Sequence, residues 1–388
     1  MRTTPLLIVL GFLVLATDAL ADISPPRVIA DRPSAHCQGP RWSPDGLQVA
    51  YDVYDPKKDS RETWITSFAP DGRKTGDKRV KVGGGSASGL LGGRKPPIVE
   101  LEWAPNMKLL SKPYVFSSVG PRKNFDLFLD GDWFTKNTGN DGQPAWSGAG
   151  CPSNPECGRY IAYASQRKDS GDIYVLDLHG DPGKPIQTTF FRTATEFRPK
   201  WSPTKNYLLF TRSEEGNRGQ DIALVIDVNR PMDTTQDVTN WTGDEIRPSW
   251  SPDGRRVAFY SNKDQRKKSK VFDLWVIDID GQNPRKLDTD VVVDDHGGPA
   301  WTPDGSTILY VKQDFKKDNP VRWTRIDGSG GGTLKTGTQL NSDLSLFVQG
   351  DELRLAFKAL GQKGSTEKTW ERLFLVKLSM ADLKPEAK

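Results

Sequence analysis

Five residues ahead of a recurring tryptophan, this sequence keeps a position that favours charge. Counting back from Trp42, Trp103, Trp146, Trp201, Trp250 and Trp301 gives Cys37, Ile98, Asp141, Glu196, Glu245 and His296. The same step from Val348, in a weaker copy, gives Asp343, and Asp244, Asp294 and Asp295 adjoin the series. Carboxylates gathered in one place pair with cationic groups of a partner or supply the oxygen ligands that Ca²⁺ prefers. An internal role competes: Arg198 and Arg247, three before their tryptophans, suggest Glu-x-Arg pairs within the fold. A second set is basic and falls on polar stretches: Lys57, Lys58 and Arg61; Arg122 and Lys123; Arg167 and Lys168; Lys263, Arg266, Lys267, Lys268 and Lys270; Lys316 and Lys317. These are either solvated surface or a rim around the acids, whose field steers a partner of opposite charge.

Signals for catalysis are few. There is no Gly-x-Ser-x-Gly nucleophile elbow. The only histidines are His36, His179 and His296, and His179 lies in a turn on the face away from the acids. The glycine-rich stretch 83–93 has no Gly-x-x-x-x-Gly-Lys-Ser/Thr pattern, so it reads as a connector and not a phosphate cradle.

The elements that must position these residues are short strands. In the stretch 246–281, Ser251-Pro252-Asp253-Gly254 is a turn with a mechanism, because proline suits the second position and glycine the end. Arg255–Tyr260 follows as a strand, then a polar loop, then the strand Asp273–Asp278 and an Asp280-Gly281 hairpin turn. The turn recurs as Ser43-Pro44-Asp45-Gly46 and Thr302-Pro303-Asp304-Gly305, and more loosely after Trp103, Trp146 and Trp201. The third strand recurs independently, for example as Asp126-Leu127-Phe128, Asp172-Ile173-Tyr174 and Asp221-Ile222-Ala223. Both signals count seven units. Four strands repeated every ~40–50 residues predict an all-β propeller of four-stranded antiparallel blades, seven rather than six. The repeat tryptophans are expected to wedge between blades.

The Trp-Ser-Pro-Asp-Gly turn, the hydrophobic-Ala-Phe/Tyr run and the Asp-Ile-Tyr-Val-x-Asp strand resemble the TolB-type (WD-type) β-propeller repeat of bacterial cell-envelope proteins. The resemblance covers nearly everything after about residue 35. TolB itself carries an α/β domain before its propeller, whereas here the first repeat opens almost at the expected leader cleavage. The resemblance implies a binding scaffold with envelope partners: an outer-membrane lipoprotein, or an extended segment of an inner-membrane protein entering the channel. On this reading Asp141, Glu196, Glu245, Asp295, His296 and Asp343 form an acidic channel mouth, and Lys57, Lys58, Arg122, Lys123, Arg167, Lys168, Arg266, Lys267, Lys268, Lys316 and Lys317 a basic rim. Some TolB-like propellers are metal-dependent polysaccharide lyases with several histidines at the mouth. The alternative is therefore a lyase or hydrolase acting on glycans, using His36 and His296 with Asp295 or Asp343.

The address is read from the N-terminus. Arg2, the apolar run Leu6–Ala16 and Ala19-Leu20-Ala21 make residues 1–21 a signal peptide for export to the periplasm. No second span follows. Losing Arg2 and Asp18 together leaves the formal charge of +4 unchanged, too mild a basic excess for a nucleic-acid partner. Residues 22–36 form a lead-in whose run Arg27–Ala30 is the candidate closing strand. The propeller is assigned to 37–380 and a polar tail to 381–388. Cys151 and Cys157 are expected to close a disulfide in an oxidising compartment, with Cys37 either a buried thiol on the first blade's inner strand or half of an intermolecular bridge. No cofactor is assigned, Ca²⁺ being the one ion considered.

Overall fold

The computed structural model describes residues 23–83, 97–106, 112–149, 151, 156–167, 171–181, 183–214, 219–265, 270–293, 296–314, 318–362 and 370–383. The leader, most of the glycine-rich connector, Asp294, Asp295, Lys168, Arg266, Lys267, Lys268, Lys316, Lys317 and the last five residues lie outside them.

Seven four-stranded antiparallel sheets form the ring, so the expected all-β, seven-bladed propeller is what the chain adopts. Blade one runs from the innermost strand His36–Trp42 through Gln48–Asp55 and Ser60–Phe68 to Lys74–Arg79. Blades two to six open at Ile98–Trp103, Asp141–Trp146, Ala194–Trp201, Glu245–Trp250 and Ala300–Trp301. Blade seven is assembled from both ends of the chain. Its inner three strands are Ser342–Gln349, Glu352–Ala359 and Arg372–Ser379, and Arg27–Ala30 pairs antiparallel with the last of them. The C-terminus does not begin as a free tail. Met380–Asp382 is a turn capped by Ser379 and Asp382, and Leu383 is buried in the core cluster between blades six and seven, against which Met380 also packs.

Turn chemistry repeats as the sequence implies. In blades one and five the serine hydroxyl donates to the aspartate two residues on at 2.6 Å, and Gly46 and Gly254 take φ of +67° and +66°. The apolar core is divided into seven clusters, one between each pair of neighbouring blades. Each repeat tryptophan contributes to one of them. Several also bond across the blade boundary: the indoles of Trp103, Trp201, Trp250 and Trp301 donate to the carbonyls of Arg41, Ala145, Lys200 and Ser249 at 3.0–3.1 Å. Each acceptor directly precedes the tryptophan of the previous blade, so the wedge carries a repeated polar staple.

Candidate functional site

The innermost strands are not regular. In five blades the ladder slips between the residues four and one before the tryptophan, as between Phe197 and Lys200 or Ile246 and Ser249. In blade seven the slip falls between Ser342 and Ser345, so Leu346 and not Val348 stands in register with the tryptophans, and Asp343, at φ +51°, takes the place three before it and not five. The residue three before the tryptophan sits at positive φ: Gly39, Glu100, Gln143, Arg198 and Arg247 fall at +53° to +58°. Proline follows four of them (Pro40, Pro144, Pro199 and Pro248), and bulges are where a strand tolerates a residue without an N–H. The bulge breaks the two-residue alternation. The side chain five back turns into the boundary between blades, and the one three back turns toward the axis.

This decides where the expected site residues go. Asp141, Glu196, Glu245 and Asp343 are brought to the same end of the ring, but all four are buried, at 0–2% exposure. Asp141 accepts from Ser165 at 2.5 Å and from Asn137. Glu196 accepts from Thr189 at 3.0 Å and Glu245 from Ser261 at 2.7 Å. Asp343 accepts from the Gly39 N–H at 3.1 Å and faces the Lys358 ammonium at 3.5 Å. Burial, aided by Asp172 next to Glu196 and Asp221 next to Glu245, pushes both glutamic acids up to about 8. Three successive boundaries thus set a third-strand aspartate against the acid of the next blade: Asp126 with Asp141, Asp172 with Glu196, Asp221 with Glu245. Glu196 and Glu245, considered from sequence for Glu-x-Arg pairs, accept from the hydroxyls of Thr189 and Ser261.

The mouth is lined instead by the bulge residues. A cavity of about 270 Å³ on the axis is bounded by Glu100, Gln143, Arg198 and Arg247, with Arg41, Arg61, Lys200, Asp52, Glu102 and His296 around them and Pro144, Pro199 and Pro248 as apolar ledges. Five of these side chains are cationic and three are acidic, so the axial wall is net basic where the sequence suggested acid. The signal for it was present in the x-Pro-x-Trp approach, but charge at that position points to the axis only once the bulge is known. Arg41 grips Asp52 through both terminal nitrogens at 3.0 and 3.2 Å. His296 Nε2 meets the same carboxylate at 3.2 Å. Burial opposes ionisation of Asp52, but these two partners outweigh it and hold its carboxyl well below the usual range.

His296 reaches this place by leaving its blade. Blade six begins only at Ala300, and the preceding segment passes Arg247 and lays the imidazole over Gly39 of blade one. A methyl group on Gly39 would stand 2.6 Å from that ring. His36 does not join it: its Nδ1 faces Glu371 at 3.1 Å, and its ring packs edge-on against Trp370. Among the described residues no group of three or more His, Cys, Asp or Glu is placed to hold a metal ion.

A second cavity, of about 330 Å³, opens between blades two, three and four. Asp141 and Glu196 line it with Phe125, Asn140, Gln166 and Phe197, and it shares Val99, Glu100 and Gln143 with the axial cavity. The two adjoin along those three residues, basic on the axis and acidic beside it.

The expected rim is only partly on the surface. Lys57, Lys58, Arg122 and Lys123 are exposed, with Lys58 paired to Asp55 at 2.9 Å and Arg122 donating to the Lys136 carbonyl at 2.7 Å. Arg167 instead turns inward, its guanidinium 4.5 Å from the Tyr174 ring centre and 3.9 Å from Asp141. Cys151 and Cys157 form the disulfide, with Cα atoms 5.2 Å apart. Cys37 is a free thiol in the blade-one core, pushed up to about 12 by burial. No described helix is long and apolar enough to cross a membrane.

No family model matches the chain. Among curated proteins it is 31% identical over 147 residues to an uncharacterized peptidase, YuxL, of Bacillus subtilis (37% of this chain, 19% of that protein). It is 27% identical over 173 residues to the uncharacterized Atu1656 of Agrobacterium fabrum (44% and 53%). Over 58 residues it is 41% identical to the Tol-Pal system protein TolB of Paramagnetospirillum magneticum (14% and 12%). The matches therefore span about half of these relatives' length at most. Among solved structures, an oligogalacturonate lyase in complex with manganese aligns over 93% of this chain and 97% of its own (10% identity, TM-score 0.58). A puromycin-hydrolyzing peptidase of Mycobacterium tuberculosis aligns over 91% and 53% (11% identity, TM-score 0.58). TolB of Acinetobacter baumannii aligns over 90% and 80% (17% identity, TM-score 0.39). At these identities the likeness is one of fold. The chain is a seven-bladed β-propeller, and over 58 residues its sequence is similar to that of TolB.

Proposed function

We propose that this protein is an exported, periplasmic propeller that acts as a protein-binding scaffold in a cell-envelope complex and takes an extended segment of its partner at the channel mouth. The observation that carries the reading is that the two cavities adjoin, with Val99, Glu100 and Gln143 lining both. A cleft with a basic half, an acidic half and proline ledges suits a chain of mixed polarity better than a single ion. Arg198, Arg247 and Lys200 contact acidic groups of the partner, while Asp141 and Glu196 face cationic ones. Glu245, Asp343 and His296 hold the mouth in shape through their internal bonds, and the exposed rim lysines steer the approach. The envelope setting comes from the leader and from the resemblance to TolB, with an outer-membrane lipoprotein or an extended inner-membrane segment as the partner class.

In-cell crosslinking and purification of the mature protein, read by mass spectrometry, tests this. A partner recovered with wild type and lost with the folded Arg198→Glu/Arg247→Glu double variant is the expected result. Equal recovery with both moves the interface to the blade edges and ends the channel-mouth reading.

One observation favours a second reading, an enzyme acting on envelope or extracellular glycans. The His296–Asp52 pair lines a cavity rich in arginine, and an imidazole oriented by a carboxylate is a general-base arrangement. Turnover of acidic oligosaccharides that His296→Ala abolishes while Arg41 and Asp52 stay in place would establish it.

A further inference from the structure

We propose that the acidic half of the cleft, between blades two, three and four, is a binding site for a primary ammonium group carried on an alkyl stem. The proposal deepens the scaffold reading, since a partner's lysine is one source of that chemistry; a free alkylamine is the other.

The lining carries the argument. Its ionisable side chains are Glu100, Asp141 and Glu196, all carboxyl groups, and no lysine, arginine or histidine joins them among the described residues. Glu196 is fully buried, yet only its Oε2 is bonded; its Oε1 has no hydrogen-bond partner among the described residues. A buried carboxyl oxygen left unmet costs about 1–3 kcal/mol; Glu196 is closed off from the cavity it borders, so a donor recovers that loss by drawing the carboxyl toward it. The remaining wall suits an ammonium on a hydrocarbon stem. Phe125 and Phe197 supply aromatic surface for the stem and the cation. Asn140 is fixed by the Phe125 N–H at 3.0 Å and donates in turn to Gln166 at 3.1 Å, so the amides are oriented before any ligand arrives. A space of about 330 Å³ accommodates a lysine side chain with its nearest backbone.

The surrounding charges set how binding depends on pH. Glu196 faces Thr189, Asp172 and Arg212. Asp141 faces Ser165, Thr135, Asn137 and Arg167, and Glu100 faces the Gln143 N–H, Arg198, His296 and Asp52. Burial raises all three acids, Glu196 to about 8. Glu196 of the ligand-free site therefore holds a proton near neutrality, and an ammonium entering the site displaces it. Affinity rises with pH until the amine itself deprotonates near ~10.4.

Isothermal titration of the mature protein tests the proposal at pH 6 and pH 8. The probes are Nα-acetyl-lysine N-methylamide and n-butylamine, with Nα-acetyl-norleucine N-methylamide as the neutral control. The expected result is saturable binding of at least one amine, about tenfold tighter at pH 8 than at pH 6, and no binding of the control. Glu196→Gln is expected to weaken it about tenfold and flatten the pH dependence; Asp141→Asn is the second variant should the first melt early. Binding of the lysine probe alone identifies a partner's lysine as the source, and equal binding of butylamine a free amine. Absence of saturable binding at both pH values, binding of the norleucine control, or unchanged affinity in both folded variants overturns the proposal. A partner still captured in cells under those outcomes leaves the scaffold reading standing, and amine binding without any partner leaves this inference standing alone.

Discussion

Glu245 is held in the folded protein in a state that water does not favour. Its carboxyl titrates near 8 because it is buried and because Asp221 stands beside it, despite the bond from Ser261. An unfolded glutamate titrates near ~4.3. Between those values the folded chain binds a proton that the unfolded chain does not, so stability contributed by this group falls as pH rises from about 4.3 to 8. Glu245→Gln keeps an acceptor for Ser261 and removes the ionisation. It is expected to stabilise the protein by on the order of 2–4 kcal/mol at neutral pH and to make little difference at pH 4. Denaturant titrations of both proteins at pH 4, 6 and 8 give the answer, and a gain that does not grow with pH would remove the ionisation argument. The composition of this position was legible in the sequence, with Asp141, Glu196 and Glu245 at one register. Their burial was not, because it depends on a one-residue slip in the partner ladder.

The repeat tryptophan unites apolar wedge and polar staple. Trp201 is buried against Tyr160 with ring centres 5.8 Å apart, and its indole donates to the Ala145 carbonyl of blade three at 3.1 Å. Trp201→Ala removes both contributions and is expected to cost about 3–5 kcal/mol. Trp201→Phe retains most of the ring but leaves that buried carbonyl short of a donor, at about 1–2 kcal/mol beyond the lost volume. Chemical denaturation should rank the three proteins in that order; a Phe variant as stable as wild type would mean the staple contributes nothing. Trp42 marks a limit of the repeat: its indole nitrogen is buried without a partner among the described residues, and its ring lies between Phe68 and Phe347. That boundary joins the first and last blades, where Leu346 stands in the place of a tryptophan.

Closure of the ring belongs to the molecule as a whole. Arg27–Ala30 pairs with Arg372–Ser379, and Ile29 and Ala30 pack with Tyr51 and Leu373 in the cluster between blades seven and one. Arg27 also donates to the Gly72 carbonyl at 2.6 Å, tying the strand to blade one's outer turn. Removing residues 22–31 would open the edge of Arg372–Ser379 and uncover that cluster. The expected outcome is a drop in melting temperature of about 5 °C or more, with a tendency to associate through the exposed edge. Hydrogen exchange should show the loss of protection concentrated in blades seven and one; protection lost evenly around the ring would argue against a strand that acts as a local clasp.

The turns, the strand order, the count of seven, the tryptophan wedges and the Cys151–Cys157 bridge are written in runs of a few residues, since proline, glycine, aspartate and close cysteines act through near neighbours. The site is not local in that sense. Arg198 and Arg247 reach the axis while Glu196 and Glu245 turn under the blades because the adjoining strand fixes a bulge between them. His296 meets Asp52, and the Gly39 N–H meets Asp343, across separations of 244 and 304 residues. Spacing along the chain assigns a residue to a register position, but the face it presents and the partner it meets depend on strands that only ring closure brings together.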